Sequence, residues 1–224
     1  MNSSLRSTEF WERAAKKDPY YFITNKKYRR DSEFFASGIV SIDKNLAEIF
    51  PDKDIEDLSF DSILEIGCGV GRESFYLCDF GKRLYGIDIS KTMIKKAIEF
   101  QREYDPADKI RFEVTNGINF KSFDDSSFDF VYSNITMQHT GDIATVFSNL
   151  TDINRILRSD GVAAVLIRTK ELKKDIDHNP MFDEIDTPPI SEKELLSFAA
   201  KAKFRNPRIL PQREVVTSWL VWGV

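Results

Sequence analysis

Ile63, Leu64, Glu65, Ile66, Gly67, Cys68, Gly69, Val70 and Gly71 follow one another, and a second apolar run, residues 84–87, ends in Asp88. An apolar strand, a glycine-rich turn, a second strand and a carboxylate, in that order, build an adenosine site. Glycines let the backbone pass close to a ligand where a Cβ would collide. A carboxylate at the tip of the second strand accepts hydrogen bonds from both ribose hydroxyls. The third glycine separates the candidate ligands. A dinucleotide fingerprint needs G-x-G-x-x-G, with a pyrophosphate over the helix N-terminus. Here Gly67, Gly69 and Gly71 are spaced G-x-G-x-G, and Arg72 and Glu73 follow. Glu65 precedes the turn, where a dinucleotide's phosphates would run. A carboxylate there suits a ligand bearing an ammonium or a sulfonium.

These residues need a frame that brings strand ends together, and the hydrophobic pattern supplies one. Residues 62–66, 83–87, 110–114, 128–133 and 162–168 read as strands, with helical segments at 72–80, after Ser90, and at 143–157. The helix after Ser90 carries Met93, Ile94, Ala97, Ile98 and Gln101 on one stripe. Gly81 and Gly161 read as helix stops. Alternating β and α elements imply a parallel sheet covered on both faces. Ahead of it, residues 8–17 and 32–50 read as helices, the second with Phe35, Ile39, Ile42, Leu46 and Ile49 inward. Residues 170–190 show no period, and a connection of that length is more often a functional cover than a plain link. Ser191 and Glu194 form a capping box opening a further helix. Residues 208–210 and 219–222 read as two last strands.

With the strands in order, the chain resembles the class I S-adenosylmethionine-dependent methyltransferases. The motif E-x-G-x-G-x-G matches at Glu65, Gly67, Gly69 and Gly71, and the acidic strand end at Asp88. Residues 128–134 are similar to the family's fourth strand, and residues 155–167 to the helix end and fifth strand. The similarity is good over roughly residues 60–170 and looser beyond. It implies an α/β, Rossmann-like, doubly wound and mostly parallel seven-stranded sheet with an antiparallel last strand and an N-terminal helical cap. The layout would be one domain over residues 1–224. Residues 1–55 would be the cap, 60–169 the cofactor core, 170–190 a cover loop over the acceptor, and 191–224 the closing helix and strands.

The resemblance also distributes roles. S-adenosyl-L-methionine would be the cofactor. The turn with Glu65, Gly67, Cys68, Gly69 and Gly71 would lie against its methionine part, and Asp88 would hold the ribose. Ile89 and Met93 would flank the adenine. Asn116, Gly117 and Ile118 stand where the family often has an acidic residue for the adenine amino group. An asparagine carbonyl can accept that bond, and an Asx turn with Gly117 is the structural alternative. Ser133 and Asn134 would border the reacting methyl. His139, just past the fourth strand, would be a general base, or else a ring packed at the pocket wall. Apart from the resemblance, Trp11, Tyr20, Tyr21 and Tyr28 would cover the cofactor and shape an acceptor pocket, since aromatic faces suit a sulfonium, or else pack as a helical cap on the sheet edge. Lys26, Lys27, Arg29 and Arg30 are a solvated run or an attractor for an anionic substrate.

Composition limits the acceptor. The chain has 224 residues, 42% of them hydrophobic, with a net charge of −4 and a pI near 5.4. Nucleic-acid binding normally needs a basic face. The tract after the fourth strand also lacks the Asn-Pro-Pro-aromatic signature of base-amine methylases. A small-molecule acceptor is therefore expected, with no nucleic-acid or membrane partner and no metal. Two cysteines, Cys68 and Cys78, make no disulfide framework, so a cytoplasmic setting is expected. Residues 1–17 lack the apolar core of a secretory signal. The expected activity is methyl transfer to an oxygen or nitrogen. The rival readings are a nucleotide-cofactor oxidoreductase, opposed by the early third glycine, and a catalytically inactive methyltransferase-like binding subunit.

Overall fold

The computed structural model describes residues 3–105, 108–170, 180–212 and 216–223. The chain divides into two compact units, Glu9–Thr115 and Met1–Thr8 with Asn116–Val224.

The Glu9–Thr115 unit begins within helix α1 (Ser3–Lys17) and continues through α2 (Pro19–Thr24) and α3 (Asp31–Ile49). Helix α2 occupies residues that the hydrophobic pattern leaves as a connection. Asp18 accepts the Tyr21 N–H at 3.0 Å, and Pro19 opens the helix where its missing N–H costs nothing. On α3 the buried stripe is Phe34, Phe35, Gly38, Ile42, Leu46 and Ile49. Ile39, expected inward, is 41% exposed, because Gly38 takes the contact position. Next come β1 (Ile63–Ile66), the short helix α4 (Ser74–Leu77) with a 3₁₀ turn after it, β2 (Leu84–Asp88), α5 (Lys91–Tyr104) and β3 (Ile110–Val114). The strands run parallel in the order β3-β2-β1, pairing Ile66 with Ile87 and Asp88 with Val114. The C-terminal ends of β1 and β2 therefore lie side by side.

The second unit holds β4 (Phe128–Ser133), α6 (Ile143–Ile156), β5 (Leu157–Arg168), α7 (Glu192–Lys201), β6 (Arg208–Pro211) and β7 (Thr217–Gly223). Their order is β4-β5-β7-β6, with β4 parallel to β5 and β7 antiparallel to both neighbours. Stacked rings fill this core: Tyr132 on Trp219 and Phe204 on Trp222. Asp142 caps α6, and Ser191 with Glu194 forms the expected capping box on α7. Helix α6 ends earlier than the glycine suggests. Leu157 already has extended backbone, so β5 starts there and Gly161 lies inside the strand. A register shift between Phe128 and Phe130 absorbs the extra length. The strands are thus mostly parallel with an antiparallel last strand, as expected from the sequence. Among the described residues no helix is long and apolar enough to cross a membrane.

Candidate active site

After β1 the backbone turns through Gly67, Gly69 and Gly71 at φ of 79°, 56° and 87°. Only glycine holds such angles cheaply in succession. The N–H groups of Gly67 and Cys68 both donate to the Ile87 carbonyl, at 2.7 and 3.1 Å. The Gly69 N–H donates to Asp88 Oδ2 at 3.0 Å, and the Ser90 N–H donates to Oδ1 at 2.8 Å. The turn and the β2 tip are therefore one hydrogen-bonded piece. Burial pushes the Asp88 carboxyl up to about 6, against the pull of those two N–H groups. An ionised carboxylate offers about four lone-pair sites. Backbone donors use two, which leaves room for a pair of hydroxyls. A glycine-rich turn, its Cys68 and Val70 side chains buried, beside a carboxylate with spare acceptor capacity fits the adenosyl part of S-adenosylmethionine.

The neighbours of this turn are specific. A Cβ on Gly69 would stand 3.0 Å from Ile23 Cδ1, so α2 lies directly against the turn. Cys68 is 4% exposed, and burial raises its thiol well above the ordinary value. The Glu65 carboxyl is also buried, at 4% exposure, and accepts a hydrogen bond from the Ser74 hydroxyl. Burial, with the nearby Glu73 charge, pushes it up to about 8. Glu73 is ion-paired with Arg72 and accepts from the Ser41 hydroxyl at 2.6 Å. Met93 is buried on α5, and Ile89 is partly exposed.

The three tyrosines lie in the same unit and are partly buried. Tyr20 stacks on Phe34 at 4.0 Å and donates to Asp31 Oδ1 at 2.8 Å. Burial and that bond hold its phenol protonated. Tyr28 donates to the Ser37 hydroxyl at 3.3 Å, and Tyr21 meets Phe22 edge-on.

The second unit carries the remaining expected residues. Asn116 Oδ1 accepts the N–H groups of Ile118 and Asn119, at 2.8 and 3.1 Å, and Gly117 has φ of 68°. This is an Asx turn. Ser133 is fully buried at the end of β4, Asn134 is partly buried, and Ile135 follows with φ of 54°. His139 ends a one-turn 3₁₀ helix and is 7% exposed. Its Nδ1 lies 3.1 Å from Asp186 Oδ1, and Arg168 holds the same carboxylate through contacts of 3.0 and 3.3 Å. Burial pushes the His139 ring below its ordinary value, although Asp186 pulls the other way. The ring is therefore neutral at neutral pH and able to take a proton.

The sequence expectations bring Glu65, the glycines and Asp88 together, and the structure has them in one unit. They miss Ile23, an isolated apolar residue with no motif around it. They also miss the link from His139 to Arg168 and Asp186. Asp186 is 47 residues from His139, and no local spacing signals such a pair. Of the expected cover, residues 171–179 lie outside the described residues, and Phe182 and Asp186 meet the His139 ring.

Comparison with known proteins agrees with this geometry. The family described as "Methyltransferase domain" matches residues 64–165. Phosphoethanolamine N-methyltransferase 2 of Caenorhabditis elegans is 33% identical over 91 residues, which is 40% of this chain and 20% of that protein. Tocopherol O-methyltransferase of Arabidopsis thaliana is 29% identical over 99 residues, covering 44% and 28% of the two chains. The chain thus matches only 20% and 28% of these two relatives' lengths. Among solved structures, magnesium protoporphyrin IX methyltransferase from Synechocystis PCC 6803, with bound SAH, superposes with a TM-score of 0.68 at 16% identity. That match covers 96% of this chain and 97% of the other, and it shows a shared fold. The glycine turn and the Asp88 strand end thus both lie in the segment, residues 64–165, that is similar to the methyltransferase-domain family.

Proposed function

We propose that the chain transfers a methyl group from S-adenosyl-L-methionine to an oxygen or nitrogen of a small-molecule acceptor. The observation that carries this reading is the Gly69–Asp88 hydrogen bond, which locks a glycine-rich turn to a carboxylate with spare acceptor capacity. Bound S-adenosylmethionine supplies a methyl group activated by a positively charged sulfur. The protein's work is then alignment, exclusion of water and proton removal. Asp88 accepts from the ribose hydroxyls. The turn from Gly67 to Gly71 lets the backbone lie along the methionine part, with Ile23 against Gly69. Ile89, Met93, Asn116, Gly117, Ile118, Ser133 and Asn134 are assigned to the cofactor on the family resemblance alone. Tyr20, Tyr21 and Tyr28 are assigned to the acceptor as aromatic faces in the same unit as the glycine turn. Nε2 of His139 takes the proton that a hydroxyl or ammonium acceptor must lose.

The small-molecule acceptor is supported by the net charge of −4, which opposes a broad polyanion footprint. The names of the relatives agree with it, one acting at nitrogen and one at oxygen. Calorimetric titration with S-adenosylmethionine and with a nicotinamide dinucleotide tests the cofactor. Mass analysis after incubation with the cofactor and a metabolite extract tests turnover. Binding of the first cofactor alone, and a product heavier by one CH₂ unit, are expected. Absence of S-adenosylmethionine binding overturns the reading.

A further inference from the structure

The geometry assigns Asp186, clamped by Arg168, as a positioning residue that keeps the His139 proton on Nδ1 and its lone pair on Nε2. The inference deepens the reading of His139 as the base and rests on it for its catalytic meaning. The starting point is the inventory of partners around one buried ring. Asp186 Oδ1 faces Nδ1 at 3.1 Å, while both guanidinium nitrogens of Arg168 engage the same carboxylate. Hydrogen bonds from His139 and Arg168 outweigh the opposing effect of burial and hold the Asp186 carboxyl below its usual range. It therefore stays ionised at neutral pH, and an ionised carboxylate only accepts. A neutral imidazole carries one N–H, and facing a pure acceptor that N–H must be on Nδ1.

The other ring nitrogen follows from this. Nε2 then carries the lone pair, and the Gln138 side-chain amide lies 3.3 Å from it. The opposite tautomer would point the Nδ1 lone pair at the Asp186 carboxylate, two acceptors facing each other at 3.1 Å. Charge agrees as well. Arg168 and Asp186 already neutralise one another, so a protonated ring would leave a net buried positive charge.

The surroundings fix the ring's place and plane. Phe182 lies against it with ring centroids 4.7 Å apart and planes at 32°. The Thr187 N–H donates to the Gln138 carbonyl at 2.8 Å, and the Thr187 hydroxyl oxygen accepts the N–H groups of Thr140 and Gly141, both at 3.1 Å. The Ser7 hydroxyl donates to the His139 carbonyl at 3.1 Å. The residues around Asp186 are thus fastened to the chain on both sides of His139.

Nitrogen-15 NMR of protein labelled in its histidine rings tests the inference, with His139→Gln identifying the His139 signals. At neutral pH the parent should show a protonated Nδ1 and an unprotonated Nε2. Asp186→Asn, whose carbonyl can still accept, should retain that pattern, and Asp186→Ala should move the proton toward Nε2. Once an acceptor is known, Asp186→Ala should also lower kcat, within the roughly 10²–10⁴-fold that general acid–base catalysis supplies, with KM little changed. A parent spectrum with the proton on Nε2 overturns the inference without any variant, so a misfolded Asp186→Ala cannot shelter it. The proton on Nδ1 combined with full turnover in His139→Gln removes the base reading and leaves the positioning intact.

Discussion

Gly38 on α3 and Arg72, just after the glycine turn, meet backbone to backbone. A Cβ on Gly38 would lie 2.8 Å from the Arg72 carbonyl carbon and closer still to its oxygen. One turn of α3 supports this contact from either side. The Ser37 carbonyl accepts from Arg72 Nη1 at 3.1 Å, and the Ser41 hydroxyl donates to Glu73. The helix therefore acts as a template against which the residues after the turn are laid.

Gly38→Ala should accordingly destabilise the protein, although alanine is the better helix former by about 1 kcal/mol. The obstacle is backbone and cannot rotate away, so an overpacking cost of about 1–3 kcal/mol should prevail. The same change should weaken cofactor binding, since Arg72 adjoins Gly71. Urea midpoints and a calorimetric titration measure the two effects. A variant more stable than the parent contradicts the packing argument.

Asp88 links the turn to the ribose. Asp88→Asn should weaken S-adenosylmethionine binding by about 1.5–3 kcal/mol, the range for hydrogen bonds to a charged group. Its carboxyl is pushed up to about 6. In the parent, affinity should therefore rise with pH through that value as the acceptor ionises. In Asp88→Asn the profile should be flat there. Calorimetry at several pH values distinguishes the two, and an equal slope in both proteins would take Asp88 out of the cofactor site.

Glu65 makes a prediction about stability. Its folded value, about 8, lies above that of an unfolded chain, so folding favours the protonated form. The stability contributed by that form is complete below the ordinary carboxylate range and is lost as pH rises through about 8. Glu65→Gln keeps the volume and removes the titration. Between about 6 and 8, above the Asp88 step, denaturation midpoints should fall in the parent and fall less in the variant. Identical slopes would mean that Glu65 ionises freely in the fold.

What could be read from the chain follows the range of the interactions. Strand runs, the helix after Ser90, the Ser191 cap and the glycine turn are written in neighbouring residues, and they are found where expected. Helix α6 shows the limit, because Gly161 resembles a stop but the chain has already extended at Leu157. Gly38 shows another, since its role depends on Arg72, 34 positions along, and glycine in a helix usually signals weakness. The partners of His139 were out of reach for the same reason. Arg168 ends a strand and Asp186 sits in an aperiodic stretch, and only the fold brings the two to one ring.

His139 itself is open to a direct test. Burial depresses its value below the ordinary histidine value of about 6.5. Folding thus favours the neutral ring. Its stabilising contribution is present above the unfolded value and is lost as pH falls below it. The same neutral ring is the form that accepts a proton. Activity limited by this step should rise with pH on the acidic side of the ordinary histidine value and be level by neutral pH. His139→Gln should lower kcat by roughly 10²–10⁴-fold and leave cofactor affinity nearly unchanged. The acidic limb of the rate profile should vanish with it. A ring that only packs against Phe182 would behave differently, with KM raised or stability lowered and the shape of the profile kept. Nearly full kcat in a stable His139→Gln protein would leave alignment and desolvation as the sources of rate.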